Sequence, residues 1–268
     1  MTADAAELFA AACRGERRDL ARLLSVVERG GDPARQLGEL AAPQAAEAAD
    51  SAHTVGITGA PGSGKSTLTG AVVEHVRRGG DTVAVLAVDP SSPFTGGAIL
   101  GDRVRMNDHA NDDGVFIRSM ATRGHLGGLA LAAPEAVRLF VATGHPLVLV
   151  ETVGVGQVEV EIAGWADTTV VVVNPGWGDS VQANKAGLLE IADVFVINKA
   201  DRDGAGQTRA DLRQMLEFSA DRDDRAAWRP PIVDAVATEG RGIDELWDAV
   251  VGHRAWAVET GELERRRA

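Results

Sequence analysis

Residues 59–67 read GAPGSGKST and follow directly on the short β-rich run TVGIT. Gly59, Gly64, Lys65 and Ser66 make the pattern G-x-x-x-x-G-K-S, which demands a strand, a tight glycine turn and a helix opening at the lysine. The glycines let successive backbone N–H groups curl toward one anion, and the following helix adds its dipole. The whole loop (Gly59, Ala60, Pro61, Gly62, Ser63, Gly64, Lys65, Ser66 and Thr67) is therefore expected to cradle phosphates. Lys65 can reach the β and γ phosphates as a compact cation and is the first candidate catalytic group. The Ser66 hydroxyl is placed to sit on Mg²⁺, with Thr67 behind it.

The chain around this turn alternates in the manner such a loop needs. TVGIT, TVAVLAV, GVFIRS, PLVLVET, TTVVVV, VFVIN and PIVDAVA are short apolar runs separated by helical patterns. Near-continuous apolar runs suit strands buried on both faces. The expected fold is α/β: a P-loop NTPase with a mostly parallel central sheet flanked by helices. Leu8, Ala11, Ala12, Leu20, Leu23, Leu24 and Val27 recur at helical spacing, so 4–29 reads as one or two amphipathic helices. GGDP at 30–33 breaks them, and an Ala-rich stretch follows as a short helix or linker. The last helix should run from about Ile243 past Trp256. The expected organisation is an N-terminal helical extension over 1–50, a nucleotide-binding domain over 51–252 and a C-terminal helical tail over 253–268.

Asn198, Lys199 and Asp201 form N-K-x-D at the end of the VFVIN run, where open α/β sheets place ligand loops. The Asp201 carboxylate can accept from the guanine N1–H and its exocyclic amine. Adenine offers neither donor, so a buried acceptor would stay unpaired at a cost of ~1–3 kcal/mol. The reading is guanine, hence GTP and GDP. Backbone amides around Val236 and Ala237 are expected to hold the guanine O6.

Carboxylates for Mg²⁺ come from two further segments. This ion keeps much of its hydration and is bound by few protein oxygens. Asp89 ends the second apolar run, Asp102 follows in GDR, and Glu151 ends PLVLVET. Gly154, in ETVGVGQ, can offer an amide to the γ-phosphate. No glutamine follows Gly154 directly; Val155 stands there and cannot orient water, and Gln157 is a weak substitute.

A formal net charge of −12, from 27 Lys and Arg against 39 Asp and Glu, disfavours nucleic-acid binding. The basic run RRR at 265–267 reads as a solvated tail. One cysteine, Cys13, rules out an internal disulfide and fits a reducing compartment. No stretch approaches the ~20 apolar residues of a membrane span, and the start lacks a signal-peptide pattern, so a cytoplasmic protein without membrane partners is expected. The histidines show no ligand spacing and read as surface or capping residues; His125, with Arg123, is the one to watch.

Five stretches together, GAPGSGKST, VDPSSPFTGGAILGDRVRM, ATRGHLGGLA, ETVGVGQVEVEI and NKAD, closely resemble the MeaB/ArgK-like P-loop GTPases. The resemblance covers about residues 5–256. It implies a GTPase chaperone that gates adenosylcobalamin loading of an acyl-CoA mutase, methylmalonyl-CoA mutase or a relative, and protects the loaded enzyme. It also implies that Asp89, Asp102 and Glu151 gather around Mg²⁺. NPGWGDSVQANKAG, 174–187, resembles the family's additional mobile loop, whose candidate catalytic groups here are Asp179 and Lys185. Homodimerisation is possible, but a chain stopping at Ala268 leaves little room for the family's usual C-terminal arm. The alternatives are a nickel-type metallochaperone GTPase, which needs converging Cys/His ligands, and a nucleotide-dependent kinase. No D-x-H-x-x-G stretch suggests a built-in cobalamin domain. Hydrolysis is expected to be slow alone and stimulated by the mutase.

Overall fold

The computed structural model describes residues 3–89, 109, 112–121, 128–152, 161–177, 182–219 and 227–268. The chain opens with α1 (Ala3–Cys13), α2 (Arg17–Arg29) and α3 (Gly31–Glu47). The periodic stretch thus makes two helices, separated at Gly15, whose φ of 91° few other residues adopt. Gly30 ends α2 at φ 71° and returns its N–H to the Val26 and Val27 carbonyls. The Ala-rich stretch is helix rather than linker. Pro33 sits in its first turn, where no backbone N–H is needed.

Each of the seven apolar runs forms a strand: β1 (His53–Thr58), β2 (Val83–Asp89), β3 (Val115–Ala121), β4 (Leu147–Thr152), β5 (Thr168–Val173), β6 (Val194–Asn198) and β7 (Ile232–Ala235). They hydrogen-bond in the order β3-β2-β4-β1-β5-β6-β7. The pairs β2–β3, β1–β5, β5–β6 and β6–β7 are parallel. Between them run α4 (Lys65–Arg78), α5 (Gly128–Ala142), α6 (Gln182–Ile191) and α7 (Ala205–Ser219), followed by α8 (Ile243–Glu259) and α9 (Glu262–Arg267). β1, β4, β5 and β6 are buried along their whole length, as their unbroken apolar runs require.

By contact the chain divides into two compact units, Met1–Thr54 with Val76–Val150, and Val55–His75 with Glu151–Ala268. In the first, α2 and α3 pack on α5, and α2 also lies against β3. Leu20, Leu23, Leu24 and Val27 form the buried stripe of α2 that their spacing predicts. Gly38 allows close approach: a Cβ there would lie 2.9 Å from the Glu135 carboxylate on α5. Arg118 on β3 donates to Glu28 at 2.9 Å and to Ser25 at 3.0 Å on α2. Arg77 forks onto the Asp112 carboxylate at 2.8 and 2.9 Å, and this hydrogen bonding holds the Asp112 carboxyl below its ordinary range.

In the second unit Val171, Val173, Trp177, Leu188, Phe195, Ile197 and Leu212 form one core cluster. Its C-terminal end corrects two expectations. The RRR run is not a solvated tail: Arg266 forks onto Asp193 at 2.7 and 2.8 Å, and Arg267 onto Asp167 at 2.7 and 2.6 Å. Both carboxylates are buried, one residue ahead of β6 and β5 respectively. Only Arg265 of the three stays largely exposed. Nor is His253 a surface residue. It is fully buried, 2.9 Å from the Thr168 hydroxyl and 3.2 Å from Asp193, with Trp228 edge-on at 5.0 Å. A buried polar side chain needs such partners, because it has given up its hydrogen bonds to water.

Burial is the largest influence on the Asp193 carboxyl and pushes it up, but the nearby His253 ring and the two Arg266 hydrogen bonds together outweigh it and hold the group below its ordinary value. A depressed carboxylate contributes stability that is present above its unfolded pKa and lost as pH falls through the folded value. Arg266→Met is therefore expected to cost about 2–3 kcal/mol at neutral pH, the range for hydrogen bonds to a charged group. The difference from wild type should shrink as pH falls through the ordinary carboxylate range, where the unfolded chain takes up this proton first and the folded Asp193 only at lower pH. Urea melts of both proteins across pH 3–7 check this.

Candidate functional site

The site grows from the end of β1. Gly59, at φ 136°, presses against β5 so closely that a Cβ would lie 2.1 Å from the Val172 carbonyl oxygen. No side chain fits there. Gly64, at φ 92°, is equally constrained, because a Cβ would meet the Asn198 side-chain nitrogen at 2.4 Å. The turn between them is closed by the Ser63 N–H donating to the Ala60 carbonyl at 3.2 Å. Pro61 and Gly62 are exposed at its crest, whereas the Ser63 side chain is buried beneath it. Lys65 then opens α4, and its ammonium folds back over the loop to donate to the Gly59 carbonyl at 2.7 Å and to Ala60 at 3.1 Å. The Thr69 hydroxyl bonds back to the Lys65 carbonyl at 3.0 Å within the first turn.

Ser66, next on the helix, donates its hydroxyl to Glu151 Oε1 at 2.5 Å, and both side chains are buried. The separation in sequence is 85 residues, and the fold brings the strand-end acid and the loop serine into contact. Oxygen donors of this kind, one hydroxyl and one carboxylate at a helix start, suit a hard divalent cation such as Mg²⁺. Among the described residues no group of three or more His, Cys, Asp or Glu gathers to hold a metal. Beside them the Thr152 hydroxyl donates to the Thr58 hydroxyl at 3.0 Å, joining the last residues of β4 and β1.

On the other flank the N-K-x-D segment leaves β6. The Asn198 side chain is buried and its hydrogen bonds all go to the protein. Its nitrogen donates to the Ser63 carbonyl at 2.9 Å and leans toward Gly64 at 3.4 Å, while its oxygen accepts from the Lys199 N–H at 2.9 Å and the Ala237 N–H at 3.2 Å. One side chain thus ties three loops together. Lys199 takes a left-handed conformation, φ 59°, the only such non-glycine residue among those described, and its ammonium reaches the Gly62 carbonyl at 2.7 Å. Unusual backbone of this kind persists where surrounding contacts hold it, and here the Asn198 oxygen and the phosphate loop do so. Asp201 stands exposed, and no hydrogen bond or ion pair is formed by its carboxylate among the described residues.

Two expectations need adjusting to this geometry. The Val236 N–H donates to the Arg241 carbonyl at 3.0 Å and the Ala237 N–H to Asn198, so both amides expected at a guanine oxygen have protein partners. They close the turn that opens α8. Asp102, Gly154 and Asp179 lie outside the described residues, as do Arg123, His125 and Gln157. Asp89 is the last residue of β2 and Lys185 lies within α6, their side chains being outside the description. The threonine pair and the three-way role of Asn198 had no signal in the sequence, where each is a polar letter at the end of an apolar run.

The chain is similar to known proteins over nearly its whole length. A family model described as methylmalonyl-CoA mutase-associated GTPase MeaB matches residues 20–268. A putative GTPase of Pyrococcus abyssi is 50% identical over 97% of this chain and 79% of its own length. A mouse protein named methylmalonic aciduria type A homolog, mitochondrial, is 34% identical over 97% of this chain and 65% of its own. The crystal structure of an LAO/AO transport system kinase superposes with a TM-score of 0.78 at 32% identity, covering 100% of this chain and 80% of that one. The glycine cradle with its lysine and serine, the guanine-type loop and a match running to the last residue converge: this chain is a GTP-binding GTPase and belongs to the MeaB family of methylmalonyl-CoA mutase-associated GTPases.

Proposed function

We propose that the loop at 59–67 holds the triphosphate of GTP and that hydrolysis there regulates the loading of adenosylcobalamin into an acyl-CoA mutase, methylmalonyl-CoA mutase or a relative. The observation that carries the site assignment is the buried Ser66–Glu151 contact beside the Lys65 ammonium. It puts a cation, a hydroxyl and a carboxylate at the mouth of one helix dipole. Ser66 and Glu151, with Asp89 and Asp102 from the second segment, would hold Mg²⁺. Bound there, that ion supplies charge neutralisation for the β and γ oxygens. Asp201 reads the guanine edge with its uncommitted carboxylate, and the Lys199 stem lies along the ring. The turn at 236–237 acts as a wall braced by Asn198, since its amides are already donated.

In the reaction, a water oxygen forms a bond to the γ-phosphorus as the bond from that phosphorus to the β–γ bridging oxygen breaks, giving GDP and inorganic phosphate. Lys65 and the loop N–H groups stabilise the charge that develops on the departing oxygens. These groups are fixed before the reaction, so they cost little reorganisation. What the described site does not contain is a side chain that orients the water. We assign that task to the 174–187 loop, with Asp179 and Lys185, moved into place by the partner. The protein is expected to act in the cytoplasm.

The experiment is steady-state GTP hydrolysis by the purified chain with and without an adenosylcobalamin-dependent acyl-CoA mutase. The expected result is slow turnover alone and an increase of ~100-fold or more with the mutase, the lower end of what one positioned water-orienting group supplies. A rate that is already fast alone and unmoved by the mutase overturns the partner-gated reading.

A further inference from the structure

We propose that the buried Thr58–Thr152 hydroxyl pair is a positioning device of the hydrolysis site. It sets the separation between the start of the phosphate loop and the strand end that carries Glu151. The proposal rests on the nucleotide reading above. Its basis is placement. Thr58 is the last residue of β1 and the immediate predecessor of Gly59, while Thr152 is the last residue of β4 and the immediate successor of Glu151. The two strands are neighbours in the sheet. Both threonines are essentially inaccessible, and the Thr152 hydroxyl donates to the Thr58 oxygen at 3.0 Å.

Stability gives little reason for hydroxyls at these two positions. Their nearest buried neighbours along each strand on the same face are aliphatic or small: Gly56 two residues before Thr58 on β1, and Val150 two residues before Thr152 on β4. Valine has the shape of threonine and suits a buried strand at least as well. Replacing both partners of a buried hydrogen bond by apolar groups of the same shape is close to neutral. What two hydroxyls add is a demand on distance and direction that two methyl groups do not make. Contact between methyls tolerates a small slip of one strand end against the other. An O–H···O bond does not.

The slip that matters is at the reacting phosphate. Side chains alternate along a strand, so Thr152 holds β4 from the side opposite to the one on which Glu151 reaches Ser66. The loop start and the acid are thereby fixed from two directions, by the threonine pair and by the 2.5 Å Ser66–Glu151 contact. A displacement of ~1 Å in catalytic geometry can lower a rate ~100-fold while leaving binding nearly unchanged.

The test uses the full chain as Thr58→Val, Thr152→Val, the double variant and Thr58→Ser. Melting temperature, GDP affinity with Mg²⁺ and with EDTA, and kcat and KM for GTP are measured on each. The expected pattern is a melting temperature of the double variant within ~2 °C of wild type, since the isosteric exchange is near neutral. GDP affinity in EDTA and the KM should stay within twofold, while kcat falls about tenfold and the gain in GDP affinity on adding Mg²⁺ shrinks. The double variant should lose no more than either single one, and Thr58→Ser should recover most of the rate. If kcat is unchanged, or falls only in step with melting temperature, or the two single losses multiply, the pair is structural and the proposal is wrong. Lys65→Ala separates this from the larger reading. If it still binds GDP tightly, the site itself is misassigned and the pair's role falls with it. If it loses GDP while both valine variants turn over at the wild-type rate, only the pair's role is lost.

Discussion

Lys65→Ala should leave a folded protein that no longer binds GTP tightly. The Lys65 ammonium is nearly buried and sits at the first turn of α4, held over the loop by the Gly59 and Ala60 carbonyls. Hydrogen bonds to charged groups contribute about 1.5–3 kcal/mol each, and a lysine over two phosphates makes more than one. We therefore expect affinity to fall at least ~100-fold and turnover at saturation to fall by ~10²–10³, the range for losing one preorganised donor to developing charge. The fold is held by the seven-stranded sheet, not by this side chain, so the melting temperature should move little. Lys65→Arg should not restore function, because a planar guanidinium cannot occupy the space above the loop as a point charge does. Calorimetric titration with GTP, paired with a thermal melt, decides the matter. Retained affinity in a folded Lys65→Ala protein would remove the phosphate from this loop.

Asp201→Asn is expected to change which base is accepted. The carboxylate is exposed, with no protein partner among the described residues, and on the proposed reading it takes both donors of the guanine edge. An amide presents one N–H group to the guanine amine in place of an acceptor. The loss should be about 1.5–3 kcal/mol, or ~10–150-fold in GTP affinity. Xanthine carries a carbonyl where guanine carries that amine, so the asparagine variant should prefer XTP to GTP. Affinity for ATP should remain as poor as in wild type. Competition titrations with GTP, XTP and ATP read all three at once. A variant that keeps its GTP preference would mean that guanine is read by another group.

What could be read in advance was whatever is local. Each strand announces itself as a run of five to seven β-favouring, mostly apolar letters, and the Lys65–Ser66 pair is specified within nine consecutive letters. The end of α2 was legible because Gly30 and Gly31 stand together. The Arg266–Asp193 and Arg267–Asp167 pairs were not legible, since 73 and 100 residues separate the partners and a run of three arginines is most often surface. His253 was missed for the same reason: nothing near it in sequence indicates Thr168 or Asp193. The amides of Val236 and Ala237 were read as ligand donors because Asn198 was assigned to the ligand rather than to the loops around it. Backbone donors near a site are often already claimed.

The three-way tie made by Asn198 has a consequence for how the product leaves. Loops that met only through the nucleotide could let go one at a time, phosphate end first or base end first, with the molecule dangling between. Here the phosphate turn, the base-reading segment and the turn at 237 share one amide side chain. Prising any one of them outward strains the grip of the others, so a nucleotide held there is expected to leave in one concerted step. A protein that speeds exchange therefore has only to loosen one of the three.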